Sequence, residues 1–473
     1  MKITFRYLFV LLAFTCLTSC EKYLDVNENP NSPTTPPING LLTRITQNAA
    51  MNVFRVSNIT SYYTQYLASP NPSSATDVYE PIDASSTWTS LYDNMTDIYD
   101  LEKMALEQGA TQYQGIAKIL MAMDLHLVHN LWGAAPYGEA FEGNNITPAY
   151  DDAQANYQQS LKLLDEGITL LQQAGSTRTV PVVTGNAKVD LIHNGSSEAW
   201  IRTANALKAR LLNQLSDTPQ YNAANIFNAL AAAYTSAAQE AYITTFNVRN
   251  PWNQVALNND ALLLDGWLSE YYVDAMDGTT FGISDPRLPL TASRTQFGDY
   301  RGTRNGKGRT GSGTTDDESY ISLTGYYSST NSPLFIITYE ELKFIEAEAA
   351  LRSGDRPRAY AAYLEGIRAN MTKMGVAATA RDAYINDPSV SVGVTNLTLA
   401  DIFEEKYKAL FLQPVTWDDA RRFEYAYRGF QMPLNVVTST FVRRLVYPSV
   451  ETSRNGKNVP ATTDVTQKLW WDQ

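Results

Sequence analysis

His126 and His129 stand three residues apart in a stretch of helical periodicity, a spacing that could place two metal ligands on one face. No His-Glu-x-x-His run accompanies them, and the single further histidine is His193. A satisfied pair of core histidines beside a helix end near Asn130 is the better account of them, and no metal is expected. Sugar hydrolysis needs two carboxylates facing each other across a cleft. The acidic clusters are Asp316-Asp317-Glu318 in a Gly-rich loop, and Glu340-Glu341 and Asp418-Asp419 on helices, where solvated faces explain them. Nucleophilic catalysis finds no Gly-x-Ser-x-Gly elbow. The two cysteines, Cys16 and Cys20, lie at the extreme N-terminus, so disulfides do not hold the fold. Gly302 to Gly308 resembles a phosphate loop loosely, with short spacing and Gly308 where Ser or Thr is needed. No catalytic residue and no cofactor is expected.

Binding chemistry is better represented. Arg294, Arg301, Arg304, Lys307 and Arg309 cluster within an acidic chain of net charge −12. Forked guanidinium groups suit a uronate, a sulfate or a peptide carboxylate. A loop kept soluble by charge, or paired to Asp316-Asp317-Glu318, is the alternative. The overall charge argues against nucleic acid, whose phosphates call for a basic face. The chain carries 29 Tyr, a side chain with a flat apolar face and a polar tip. Tyr62, Tyr63 and Tyr66 crowd the end of the first helix, Trp88 starts the second, and Asn250-Pro251-Trp252 opens an irregular segment. With Arg301 and Arg304, these residues are the ligand-contact candidates, and core packing is the competing account of each aromatic.

The elements that must position them are helices in pairs. Between Thr338 and Ile367, Leu342, Ile345, Ala349 and Ala350 recur at three- and four-residue steps. Gly354-Asp355 then ends one helix and caps the next, with Pro357 in its first turn. Ala359, Tyr363 and Ile367 form the second stripe, which Ala153, Tyr157 and Leu161 repeat, as do Ala223, Phe227 and Leu230. A third helix is expected over about 114–132, and others over 152–171, 200–215, 399–412 and 417–427. These pairs, about four in number, predict an all-α, interrupted tetratricopeptide-like solenoid. From 244 to 333 the periodicity fades, apart from a helical patch over 262–276. This part reads as an irregular, loop-rich lobe inserted in the solenoid and suited to ligand.

Residues 1–19 read as an export signal, with Lys2 and Arg6 ahead of an apolar run too short to span a bilayer. Residues 20–40, rich in Pro and Asn, read as a flexible tether, and 41–473 as a single helical domain.

Leu17-Thr18-Ser19-Cys20 resembles a bacterial lipobox, which implies lipidation of Cys20. Together with LWGAAPYGEA (131–140), DPRL (285–288), YRGTRNG (300–306), PLFIITYEELKFIEAEAAL (333–351) and FEEKYKALFLQPVTWDDARRF (403–423), it makes the chain similar to the SusD/RagB-like nutrient-binding outer-membrane lipoproteins of Bacteroidetes. One departure is Val446, where many relatives carry Pro. The resemblance implies a lipid-anchored protein of the cell surface with a SusD-like fold. It implies capture of an oligosaccharide, or in some relatives a peptide, and delivery to a SusC-like TonB-dependent outer-membrane transporter, without catalysis. A surface glycoside hydrolase is the reading from another class.

Overall fold

The computed structural model describes residues 37–185, 187–260, 266–310, 317–462 and 464–473. The expected signal, Cys20 and most of the tether lie outside the described residues, as does Asp316. The described chain runs α1 (Ile38–Tyr63), β1 (Leu67–Ala68), α2 (Ser85–Glu107), α3 (Thr111–Trp132), α4 (Ala153–Gln172), α5 (Ser197–Gln214) and α6 (Ala223–Ala231). It continues with β2 (Ala241–Ile243), α7 (Pro251–Asp260), β3 (Trp267–Leu268), α8 (Glu270–Asp277) and β4 (Leu334–Ile337). Then follow α9 (Tyr339–Arg352), α10 (Arg356–Lys373), α11 (Ala378–Ile385), α12 (Leu399–Ala409), α13 (Val415–Arg422) and α14 (Ser449–Arg454).

The α9–α10 pair forms as its residues dictate. The Thr338 hydroxyl accepts from the Glu341 N–H and caps α9, and the Asp355 carboxylate accepts from the Arg358 N–H and caps α10. Between them Gly354 takes φ +88°, the left-handed turn that closes the first helix. Ala359, Tyr363 and Ile367 are all buried, as the stripe predicts. In α6 the buried residues are Ile226 and Ala229. The face is therefore turned by one residue from the expected Ala223–Phe227–Leu230, and Phe227 is half-buried under the Arg358 guanidinium at 3.8 Å.

Each of α1 to α6 packs on its neighbour in the chain, and α9 then docks on α5 and α6. The solenoid is thus continued by a helix from beyond the irregular segment. Two antiparallel strand pairs hold that segment in place: β3 within it pairs with β1 (Leu67 opposite Leu268), and β2 and β4, which flank it, pair with each other (Ala241 opposite Ile337). One apolar core runs through both parts, from Leu42, Trp132 and Trp200 to Trp252, Tyr272 and Ile321. A second gathers Phe344, Ala359, Tyr363, Met371 and Tyr384 around α9–α12.

Three expected elements differ. Of the helix predicted over 262–276, residues 262–265 lie outside the described residues, and among the rest the helix begins at Glu270, because Trp267 and Leu268 are drawn into pairing with β1 and Ser269 caps α8. The last pair is cut short at Arg422, since Glu424 and Tyr425 both adopt left-handed backbone (φ 53° and 55°). Helix α1 starts at Ile38, inside the expected tether. No helix among the described residues is long and apolar enough to cross a membrane.

The acids of the helical clusters are not solvated faces, which corrects the expectation above. Glu341 is buried and paired with Arg210 at 2.6 Å, and Glu340 with Lys373 at 2.6 Å. Asp418 meets Arg421, and Asp419 meets both Arg422 and Lys406. A buried carboxylate stripped of water needs such partners, and each of these has one across a helix interface or within its own helix turn.

Candidate functional site

The motif Tyr300-Arg301-Gly302-Thr303-Arg304-Asn305-Gly306 is the base on which an exposed loop surface is built. Thr303 bonds through its backbone to Leu268 and Glu270, each at 2.8 Å, in a parallel bridge beside β3. A Cβ on Gly302 would fall 2.3 Å from the Glu270 Cα, so only glycine fits this approach. Asn305 is buried, and its amide donates to the Leu67 carbonyl at 2.9 Å and to the Asp77 carboxylate at 2.6 Å. Gly306 (φ +79°) donates to the other Asp77 oxygen at 2.9 Å, which also accepts from the Ser69 N–H at 3.0 Å. Burial pushes the Asp77 carboxyl up to about 6, against the pull of these donors. The Asn435 amide donates to the Gly306 carbonyl at 3.1 Å, and the Leu434 N–H to the Asn305 carbonyl at 2.9 Å. Loops 69–80 and 299–309 are therefore tied to one buried carboxylate, and loop 428–437 is tied to them through the backbone carbonyls of Asn305 and Gly306.

From this base the turn 294–301 projects Phe297, 59% exposed. The turn closes on itself: Thr295 N–H donates to the Asp299 carbonyl and Gly298 N–H to the Thr295 carbonyl, both at 2.9 Å. The Asp299 carboxylate takes two bonds from Arg301, at 2.9 and 2.7 Å, and is held below the usual carboxylate range by that partner and by Thr295. Arg301 lies over the Phe297 ring at 4.3 Å, and Arg294 over Tyr300 at 4.9 Å. An aromatic ring in solvent, fixed by a braced turn and flanked by guanidinium donors, can stack on the apolar face of a sugar and bond its hydroxyls.

The remaining candidates divide sharply. Tyr63, Tyr66, Trp88, Asn250 and Trp252 are each at most 3% exposed and present no face to a ligand. This corrects their expected role, and the reason is long-range aromatic packing. The Tyr66 ring stacks on Tyr407 (4.4 Å) with its hydroxyl on the Tyr407 carbonyl, Tyr63 leans on Trp417, and Trp252 meets Phe54 edge-on at 4.8 Å. Asn250 caps α7 through the Trp252 N–H and bonds the Ser332 carbonyl at 2.8 Å. Trp88 stacks on Tyr92 (4.7 Å) and meets Trp132 edge-on (4.9 Å). Tyr62 is half-buried against the core. Arg304 bonds Gln431 Oε1 and the Met432 carbonyl and lies 3.7 Å from Glu270, so it ties loops together. Of the candidates, Arg301 is half-exposed beside Phe297.

His126 and His129 are buried and edge-on at 5.1 Å. Burial drives both downward in pKa, His129 to about 3, so both are neutral. His126 Nε2 meets the Asn130 amide at 3.1 Å, whereas neither ring nitrogen of His129 has a hydrogen-bond partner among the described residues. The Nδ1 of His126 also lacks one, so the account of a satisfied pair is corrected for both residues. No group of three or more His, Cys, Asp or Glu side chains suited to a metal occurs among the described residues. The Gly302–Gly308 run is occupied by its own packing against Pro72 and Leu434, which leaves no phosphate cradle.

The exposed Phe297 escaped the sequence reading, although it sits inside the arginine cluster in a Gln-Phe-Gly-Asp turn. Asp77 carried no local signal at all.

None of the curated proteins matches this chain. Among solved structures, a chitin-binding SusD homologue from Flavobacterium johnsoniae shares 21% identity, covers 92% of this chain and 98% of its own, and superposes with a TM-score of 0.75. A SusD homologue from Bacteroides fragilis shows 21% identity, 93% and 100% coverage and a TM-score of 0.75. A SusD/RagB family protein from Bacteroides thetaiotaomicron shows 18%, 93% and 99%, and again 0.75. These likenesses establish the fold. Residues 30–448 match the SusD-like family description, "starch-binding associating with outer membrane", and with that extent of match the chain belongs to the SusD-like family.

Proposed function

We propose that the protein is a lipid-anchored, cell-surface glycan-binding protein that captures an oligosaccharide on the loop surface around Phe297 and passes it to a TonB-dependent outer-membrane transporter, without cleaving it. The observation that carries the reading is Phe297, an exposed ring held by the Thr295–Asp299 turn and the Arg301 brace. A ring fixed in this way offers an apolar face that a sugar can cover with little further loss of freedom. Support comes from the family description as starch-binding and from the Flavobacterium johnsoniae relative, described as chitin-binding. Anchoring through Cys20 and the transporter partner rest on the lipobox and the family resemblance.

The test is calorimetric titration of the full chain without its lipid, using neutral and acidic oligosaccharides and short peptides. Retention of an uncleaved glycan is the expected outcome, with Phe297→Ala weakening it about tenfold. Release of shortened products would overturn the non-catalytic reading, and full affinity in Phe297→Ala would remove the loop surface.

A further inference from the structure

We propose that a cleft walled by Tyr99, Tyr137 and Phe141 is a second ligand site, taking a short, uncharged segment of an oligosaccharide. The proposal rests on the reading of the ligand as a glycan, and the experiment below separates the two. The cleft lies where α2 and α3 meet the loop after α3, and it shares no residue with the Phe297 surface. Its volume is about 320 Å³, at the small end of ligand pockets, which run from about 300 to 1,000 Å³. That fits a few sugar rings and no extended chain.

The walls are prearranged. Phe141 lies nearly parallel to Tyr99 (5.8 Å, 26°) and to Tyr92 (6.4 Å, 27°), with Tyr137 edge-on at 5.9 Å. Tyr92 stacks on buried Trp88, so a ladder of rings runs from the core to the surface. The loop carrying Tyr137 and Phe141 is pinned at several points. The Asp151 carboxylate accepts from the Tyr137 and Gly138 N–H groups at 2.7 and 2.9 Å, Ala135 and Asp151 exchange backbone bonds at 3.1 Å, and the Tyr92 hydroxyl donates to the Pro136 carbonyl at 2.8 Å. Tyr99, Tyr137 and Phe141 remain half-buried, each with surface left over, and Leu106 stands 68% exposed at the mouth. Rings held this firmly lose little freedom when a ligand covers them.

Charge selects the class of ligand. The lining holds Glu102 and Glu142 against Lys103 and Lys118, so the acids and bases balance. Lys118 is already committed to Glu102 at 2.8 Å and Glu166 at 3.0 Å. An anionic or cationic ligand finds no surplus of opposite charge. A neutral sugar can stack on the rings and bond its hydroxyls to the exposed Lys103 and Glu142.

The full chain is titrated with malto-, cello- and chitohexaose, a hexauronate and a hexapeptide, in parent, Phe297→Ala, Phe141→Ala and Leu106→Glu forms. Leu106 is exposed, so its variant keeps the fold if Phe141→Ala loosens the ladder. The expected result is residual binding of a neutral hexasaccharide in Phe297→Ala, cut about tenfold further by adding either cleft change. Parental affinity for every neutral sugar in both cleft variants, with loss in Phe297→Ala, would overturn the cleft and leave the loop surface standing. Loss only in the cleft variants would support the cleft and overturn the loop surface. Preference of the cleft for hexauronate or peptide would overturn it, and so would a parent protein that binds no sugar.

Discussion

Asn305 and Asp77 face each other across the base of the exposed loops, the amide of one donating to the carboxylate of the other at 2.6 Å. The remaining Asp77 oxygen receives two backbone N–H groups, from Ser69 and Gly306. Every neighbour offers a hydrogen and none offers a lone pair, so the position suits an acceptor at both atoms. The loop surface therefore depends on a group that touches none of its exposed residues.

Replacing Asp77 with Asn turns an NH2 toward one of these donors. The expected cost is about 1–3 kcal/mol of stability, the penalty for buried polar groups left unpaired. Hydrogen exchange should quicken at residues 304–306 and 434–437 while the α9–α10 pair keeps its protection. Parental exchange rates at those amides would contradict the role given to Asp77.

Glu348 joins α9 to its neighbours through Arg422 at 2.7 and 3.0 Å and Asn213 at 2.7 Å, and meets Arg352 of its own helix at 3.0 Å. Burial alone would raise its pKa, but the Arg422 and Arg352 guanidinium groups outweigh it and hold the carboxyl well below the usual range. A depressed folded pKa means that the unfolded chain binds more protons. The stabilisation is present above the ordinary glutamate pKa and is lost as pH falls through that range. Glu348→Gln should cost about 3–5 kcal/mol in denaturant unfolding at pH 7, with a smaller difference near pH 3. A difference independent of pH would count against the pairing.

Asp124 shows the opposite sign. It is buried between α1, α2 and α3, its Oδ2 accepting from Asn94 at 2.7 Å and Asn52 at 3.3 Å, with Oδ1 unpartnered among the described residues. Burial pushes its pKa up to about 7, so the folded chain holds the proton longer than the unfolded one. Its carboxyl therefore lowers stability increasingly as pH rises from about 4 to 7. Asp124→Asn keeps the acceptor and removes the charge. Its melting temperature should exceed the parent's at pH 8 by a few degrees, about 1–2 kcal/mol, and converge with it near pH 4. A lower melting temperature at pH 8 would refute this account.

Cys20→Ala should prevent lipidation and shift the protein from the outer-membrane fraction to the soluble fraction on cell fractionation. Continued membrane retention would show an anchor other than Cys20.

The helix pairs could be read from the chain because their signals are local. The Gly354-Asp355 turn and the Ala359–Tyr363–Ile367 stripe lie within a few residues of what they control. Partners of buried groups are another matter. Arg210 meets Glu341, and Arg422 meets Glu348, across 131 and 74 positions. The residue type of Tyr66 or Trp88 does not say whether its ring meets Tyr407 and Tyr92 or a sugar. The tetratricopeptide pattern also misplaced the α6 face by one residue, because its docking on α9 is settled by a helix beyond the lobe.

That docking has a bearing on how the chain matures. Helices α1 to α6 are contiguous and can assemble as they emerge, but the cover for α6 arrives only after a segment of roughly a hundred residues has followed. Until then Ile226 and Ala229 lack the neighbour that α9 supplies. A polypeptide synthesised from its N-terminus must hold an unfinished, sticky end for as long as that takes. The period when it is most open to chaperones and proteases is thus set by the length of the same insertion that later displays Phe297.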